Sequence, residues 1–443
     1  MMFSSLKDNM KQTPLHRLKQ SLRCATLAGT LIGISWFIPN LTAPAAANLE
    51  ESYKTLVDEV WQMVNNQYVD PEFNQDDWES TREELLERDY ESREDAYRAI
   101  REALGKLDDA DTRFLEPEQF ESLQEQTSGE LSGVGLQLAI DEESQTIKVV
   151  EPLENSPAKE AGVEPGDEIL AIDGQPTSLL SLEQASELIR GDSGTDVDLK
   201  LSRAGEGTFN LTLTRTNIEI PRVTHELREI DQTRVGYIQI EEFSSHAADQ
   251  MRNAILDLQD RDAEAFVLDL RNNPGGLLYG SIEMARMWLE QGEIVSVVDR
   301  TGGNRNFGAD QTSLSDLPLA VLVNENSASA SEILAGALQD NDRAVVVGDQ
   351  TYGKGTVQAV NPLSDGSGIA LTVARYYLPD GRDIDKKGID PDIEVSLEDG
   401  DQMRLSANPE LQGTEEDPQF TRALSILNQS LGKSSTEAHS FLE

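Results

Sequence analysis

The run Asn324-Glu325-Asn326-Ser327-Ala328-Ser329-Ala330-Ser331-Glu332 places three serines where an apolar strand, Leu319 to Val323, gives way to a helix-like stretch, Ile333 to Leu338. A helix N-terminus offers unpaired backbone N–H groups and the positive end of its dipole. A serine there can attack a carbonyl while neighbouring amides hold the developing oxyanion. Such a hydroxyl needs a base. The histidines are His16, His225, His246 and His439. His16 falls in a leader-like segment and His439 in a polar tail, which leaves His225 and His246 for a Ser-His-Asp arrangement. His246, following Phe243-Ser244-Ser245, reads as a surface or capping residue at a helix start. Lys354, in Tyr352-Gly353-Lys354-Gly355-Thr356-Val357-Gln358, is the better candidate. An amine desolvated in a mostly apolar pocket loses its preference for the charged form and can accept the serine proton. Residue chemistry alone does not choose among Ser327, Ser329 and Ser331.

A different chemistry is suggested by Gly348-Asp349-Gln350-Thr351-Tyr352-Gly353-Lys354-Gly355-Thr356, which nearly fits the phosphate-binding pattern G-x-x-x-x-G-K-[ST]. Gly355 stands where the magnesium-binding hydroxyl belongs. Val357 to Pro362 reads as strand and turn, so no helix N-terminus follows to hold phosphate, and no nucleotide is expected. The net charge of -44 over 443 residues excludes nucleic-acid binding through phosphate neutralisation and attraction to an anionic membrane surface. The acid is interleaved with apolar periodicity along the chain, as on the solvated surface of a folded protein. The only cysteine is Cys24, and H-E-x-x-H is absent, so neither a metal nor another cofactor is expected.

Residues 1–47 carry Lys7, Lys11, Arg17, Lys19 and Arg23 against a single Asp8, then an apolar stretch from Ala25 to Ile38, then Ala45-Ala46-Ala47. This is the three-part layout of a secretory signal with a cleavage site after Ala47. The apolar run falls short of the ~20 residues of a spanning helix, so membrane association is expected only by proximity or through an uncleaved signal. Residues 48–128 read as helical: Tyr53, Leu56, Val57, Val60, Trp61, Val64 and Tyr68 recur at three and four residues, and a second helical stretch runs from Ser92 to Leu107.

Between 129 and 216 the pattern changes to short strands and turns: Gly133-Val134-Gly135-Leu136-Gln137-Leu138, Ile147 to Val150, Ser156 to Val163, and Gly166-Asp167-Glu168-Ile169-Leu170-Ala171-Ile172-Asp173-Gly174. This span resembles a PDZ domain of the circularly permuted bacterial kind. The resemblance implies that the loop Gly133, Val134, Gly135 and Leu136 cradles a peptide carboxylate and that the following strand pairs with an extended peptide. Leu182 to Ile189 would be the helix closing the groove.

From 217 to 398 strands (Val235 to Ile240, Ala265 to Leu270, Ile294 to Val298, Leu319 to Val323, Ala344 to Val347) alternate with helical stretches (Ala247 to Leu258, Leu277 to Leu289, Glu332 to Leu338). That is an α/β core with a largely parallel sheet. Residues 399–443 read as a polar tail with one short helix, Phe420 to Leu431. Asp269-Leu270-Arg271-Asn272-Asn273-Pro274-Gly275-Gly276 closes one core strand at its carboxyl end, where α/β sites gather.

Together with the serine run, the lysine motif and Lys387-Gly388-Ile389-Asp390-Pro391-Asp392, this loop resembles the carboxyl-terminal processing (tail-specific) proteases over nearly the whole chain beyond the leader. The resemblance implies a multidomain α/β protein: a ClpP/crotonase-like protease core, an inserted PDZ-like domain and a helical N-terminal region. It makes Ser329 the nucleophile, Lys354 the general base and Gln358 the residue that orients the lysine, with the Gly275 and Ala330 amides as oxyanion hole. Arg190, in Leu188-Ile189-Arg190-Gly191-Asp192, is a regulatory candidate or a surface ion-pair residue. The implied protein is an exported serine endopeptidase of the periplasm or thylakoid lumen, acting on proteins with free C-terminal tails. The resemblance implies, as substrate, either the C-terminal extension of the photosystem II reaction-centre precursor, as in oxygenic phototrophs, or envelope or signalling proteins, as in other bacteria. Two rivals are a PDZ-type binding module with a vestigial core and an acyl-CoA enzyme of crotonase-like architecture.

Overall fold

In the computed structural model, residues 44–141, 144–230 and 232–433 are described, with side chains from Ser52 onward. The leader expected at 1–47 lies outside them, except that Pro44 to Ala47 open the first helix. Helices α1 (Pro44–Gln67), α2 (Trp78–Glu87), α3 (Arg93–Gly105) and α4 (Pro117–Ser128) form the N-terminal region. Asp77 and Ser92 cap α2 and α3 by accepting from the amides of Ser80 and Asp95. The three-and-four spacing puts Leu56, Val57, Val60, Trp61 and Val64 on one buried stripe, packed with Trp78, Leu85, Tyr97 and Ile100 and with Leu363, Ile369 and Leu371 of the core. This region is not wholly helical. Strand β1 (Arg113–Leu115) pairs antiparallel with the core strand Gly368–Tyr377, so the segment belongs to the core sheet.

The next unit comprises β2 (Glu130–Gly133), β3 (Leu136–Ile140), β4 (Ile147–Pro152), α5 (Pro157–Glu160), β5 (Glu168–Ile172), β6 (Gln175–Pro176), α6 (Leu182–Ile189), β7 (Asp196–Arg203), β8 (Gly207–Thr214) and β9 (Thr216–Glu219). Strands β3-β4-β5-β7-β8 form a sheet with β3 at one edge, closed over Val149, Ile169, Ile172, Val197, Leu199 and Leu201. Strands β2 and β9 pair antiparallel, so the chain enters and leaves this unit side by side. A boundary between 216 and 217 would cut β9 at its first residue.

The core follows with β10 (Val223–Ile230), β11 (Thr233–Ile240), α7 (Ala247–Asp260), β12 (Ala265–Asp269), α8 (Leu278–Arg286), β13 (Glu293–Asp299), β14 (Asn304–Gly308), β15 (Leu319–Val323), α9 (Ala330–Asp340), β16 (Val345–Gly348), β17 (Thr356–Pro362), β18 (Gly368–Tyr377), β19 (Ile393–Glu394), α10 (Asp399–Ala407) and α11 (Pro418–Ser430). The main sheet runs β10-β11-β12-β15-β16-β19, antiparallel only between β10 and β11. Helices α7, α8 and α9 cover one face with Met251, Ile255, Ile282, Leu334 and Leu338. Helix α11 covers the other with Phe420, Ala423, Leu424 and Leu427. Strands buried on both faces must be apolar throughout, as β12 and β15 are.

Two expectations need correction. Ile294 to Val298 does not join the parallel sheet: β13 pairs antiparallel with β14 and β18 in a second sheet that also holds β1 and β17. Residues 399–433 are no polar appendage, because the apolar stripe of α11 is needed to close the main sheet.

Candidate active site

Parallel β12, β15 and β16 end together, and the loops after them bring Asp269–Gly276, Asn324–Ser329 and Gly348–Gly355 to one edge. The Ala328 amide donates to Asn273 O at 3.0 Å, and the Tyr352 amide to Ser327 O at 3.1 Å. These bonds stitch the three loops into one framework.

The three serines are not equivalent within it. Ser327 and Ser331 are fully buried, and their hydroxyls donate to Leu270 O at 2.8 Å and Asn273 O at 3.0 Å. Ser329 is half-buried and stands at the N-cap of α9 with φ 54° and ψ -111°. A non-glycine residue in the positive-φ region stores strain of about 1–3 kcal/mol and persists only where its surroundings dictate it. Here the Ser329 amide donates to Glu332 Oε2 at 2.8 Å.

Glu332 is wholly buried, and its carboxylate also accepts from Thr351 Oγ1 at 2.5 Å, Gly353 N at 2.7 Å and Lys354 N at 2.9 Å. Burial pushes its carboxyl up, against the pull of those donors. Tyr376 adds a second tie between the loops: its hydroxyl donates to Lys354 O and, at 3.2 Å, to Ser329 O. Burial and the Glu332 charge push the Tyr376 phenol up, so it remains a donor. Sequence reasoning missed both residues. The Ser-x-x-Glu spacing at a helix start was a readable signal for Glu332; Tyr376 left none.

Gly275 is pressed against the serine loop. With φ +108°, a Cβ on it would lie 2.8 Å from Ser329 Cβ and 3.1 Å from Ala330 N. Its own amide donates to Asn273 Oδ1 at 2.9 Å. The Ala330 amide has no hydrogen-bond partner among the described residues. Of the two amides expected in an oxyanion hole, Ala330's is free and Gly275's is engaged within its loop.

Lys354 is half-buried, and its Nζ lies 3.1 Å from Asp111 Oδ1, in the turn before β1. Gln358 Nε2 donates to Thr356 Oγ1 at 2.8 Å and lies 3.5 Å from Asp111 Oδ2. Gln358 therefore reaches the carboxylate that holds the lysine rather than the lysine itself. Beside it lies a cavity of about 870 Å³ lined by Leu123, Ser132, Leu277, Gln358 and Val360.

The remaining candidates lie apart from this edge. Arg190 pairs with Glu125 at 3.2 Å, both partly exposed. His225 pairs with Asp257 and His246 with Glu130. Gly133 to Leu136 connect β2 to the edge strand β3. After Lys354 comes β17, a strand, and no group of side chains able to hold a metal occurs among the described residues.

Residues 234–395 match the model of peptidase family S41, and residues 148–203 match a PDZ domain. A carboxyl-terminal-processing protease of Synechocystis is 45% identical over 84% of this chain and 88% of its own length. Carboxyl-terminal-processing peptidase 2, chloroplastic, of Arabidopsis thaliana is 39% identical over 87% of this chain and 77% of its own. Among solved structures, a photosystem II D1 C-terminal processing protease superposes with a TM-score of 0.53 at 36% identity, covering 83% of this chain and 99% of that one. The chain belongs to the carboxyl-terminal-processing proteases of peptidase family S41, serine-type peptidases whose protease fold carries a PDZ domain.

Proposed function

We propose that this peptidase cleaves proteins near a free C-terminus with Ser329 as nucleophile and Lys354 as general base. The observation that carries the reading is the position of Ser329: strained, half-buried, at the mouth of α9 beside Gly275 and the free Ala330 amide. Its two neighbours have already committed their protons to buried carbonyls. The amine of Lys354 takes the Ser329 proton, the alkoxide attacks the scissile carbonyl, and the free Ala330 amide receives the oxyanion, joined by the Gly275 amide once that amide turns from Asn273 Oδ1. The lysine then protonates the leaving amine, and a water deprotonated by the same lysine hydrolyses the acyl-enzyme. Gln358 is assigned to orient the lysine; its own hydrogen bonds reach Thr356 Oγ1 and the Asp111 carboxylate.

The tail is read by the loop Gly133 to Leu136. The Val134 carbonyl accepts from Ala158 N, and the Gly135 carbonyl from Leu153 N. In a trans peptide the amide points opposite to its carbonyl, so the Gly135 and Leu136 N–H groups face away from those partners, toward an incoming carboxylate. Among the described residues no strand pairs with the outer edge of β3, and α6 packs alongside it, the geometry of β-strand addition. Arg190, which follows α6 and is tied to Glu125 of α4, is proposed to couple groove and core.

The three-part N-terminal segment supports export to the periplasm or thylakoid lumen. The kinship with a protease named for photosystem II D1 supports the corresponding reaction-centre precursor as substrate. The test is a peptide ending in the precursor's C-terminal extension, offered with a free and an amidated terminus. Cleavage of the free form, lost in Ser329→Ala and at least tenfold weaker for the amide, is expected. Equal cleavage of both forms would refute tail recognition, and cleavage by Ser329→Ala would refute the nucleophile.

A further inference from the structure

The candidate base of the proposed reaction is engaged by a carboxylate. A general base needs a lone pair, and an ammonium paired with a carboxylate has none to offer. Lys354 Nζ and Asp111 Oδ1 are 3.1 Å apart. The other carboxylate oxygen, Oδ2, accepts from Thr356 Oγ1 at 2.9 Å and faces Gln358 Nε2. Asp111 therefore gathers the side chain of the lysine and those of two residues just beyond it.

The mount of Asp111 is firm. Its amide donates to Asp109 Oδ1 at 3.0 Å, and the neighbouring Thr112, buried, donates to Asp109 Oδ2 and accepts from Thr372 N of β18 at 3.1 Å. Other charges near Lys354 do not compete for the ammonium. Glu332 is occupied by four donors, one of them the Lys354 amide, and Asp385, beside Gly355, faces Arg375 at 3.8 Å.

We infer that Asp111 is a positioning residue that restrains Lys354: it holds the lysine as an ion pair, and the amine must be released from it before taking the Ser329 proton. This rests on the reading of Lys354 as the base. No bond is made or broken in the restraint; a proton leaves the ammonium only once the pair has separated.

The test is the rate at which a fluorophosphonate labels Ser329, followed from mildly acid to mildly alkaline pH in the full chain. Asp111→Asn keeps an acceptor for Thr356 and removes the charge. It should label about two- to fivefold faster at neutral pH, the factor that a partly exposed ion pair holds back. Its rise in rate should begin at lower pH, a shift that a merely structural role would not produce. Asp111→Glu retains the charge and should stay near the wild-type rate. If Asp111→Asn folds poorly, Thr356→Val, which removes a donor holding the carboxylate, should shift the profile the same way by less.

A folded Asp111→Asn with the wild-type profile, or a slower one, overturns the inference, as does an Asp111→Glu enzyme as fast as Asp111→Asn. Lys354→Ala separates this failure from that of the base assignment. If Lys354→Ala labels like wild type, the base is wrong and the restraint falls with it. If it is unreactive while Asp111→Asn gains nothing, only the restraint falls.

Discussion

Replacing Gly275 by alanine probes how tightly the serine loop is held. Gly275 has φ +108°, where an L-residue costs about 1–3 kcal/mol of strain. The added methyl would sit 2.8 Å from Ala328 O, 2.8 Å from Ser329 Cβ and 3.1 Å from Ala330 N. Two of those atoms are backbone and the third is bonded to it, so none can swing aside. The loop must retreat by several tenths of an ångström, moving the hydroxyl and the Ala330 amide together. Misplacement by about 1 Å costs on the order of 100-fold, and loss of one oxyanion donor costs about 100- to 1000-fold. We expect kcat/KM on a tail peptide to fall at least about 100-fold, with stability lower by about 1–3 kcal/mol. Gly162→Ala is the control: its φ is +79°, and nothing lies within 4 Å of the added atom. It should share the strain and keep the activity. A Gly275→Ala enzyme with wild-type kcat/KM would refute the packing argument and the place given to Gly275 in the site.

Three further outcomes follow from the same geometry. Glu332→Gln substitutes one acceptor oxygen and an NH2 group for a carboxylate that meets four donors. kcat should fall more than about tenfold with KM little changed, since loop registry rather than substrate contact is lost; an unchanged kcat would contradict the role given to Glu332. Arg271→Met leaves Asp269 and Asp417, both buried, without their guanidinium. Chemical denaturation should show a loss of about 3–5 kcal/mol, with faster hydrogen exchange in α11, and an unchanged midpoint would contradict it. In the PDZ domain, burial pushes the Asp167 carboxyl up, but Arg203 and the Glu164 amide more than offset this and leave it below its ordinary 3.8. A depressed carboxyl contributes stability that is present above its ordinary value and lost as pH falls through the depressed one. Hydrogen exchange across β4 and β5 should therefore accelerate below about pH 4, and Asp167→Asn should flatten that dependence.

Much of the site could be read from residue order, and the reasons for the rest are specific. The helical stripe of α1 and the loops closing β12 and β15 are local patterns, and both appear where their spacing puts them. The choice among three serines is not local. It depends on carbonyls of Leu270 and Asn273, 57 and 58 residues away, which capture Ser327 and Ser331, and on the backbone strain at Ser329. Asp111 was invisible because its partners are up to 247 residues distant and its own surroundings read as a turn after a helix. The α11 stripe was noticed only as a short helix, since an apolar face has no meaning until a bare sheet face is known to await it. The assignment of β13 to the second sheet turns on its antiparallel partners β14 and β18, which no run of apolar residues discloses.

The most direct measurement is the site and rate of fluorophosphonate attachment in wild type, Lys354→Ala and Lys354→Arg, mapped by mass spectrometry and accompanied by melting curves. The account predicts a single adduct on Ser329 in the wild type and almost none in either variant at an unchanged melting temperature, because a guanidinium does not give up its proton. An adduct on Ser327 or Ser331, or brisk labelling of Ser329 in Lys354→Arg, would contradict it.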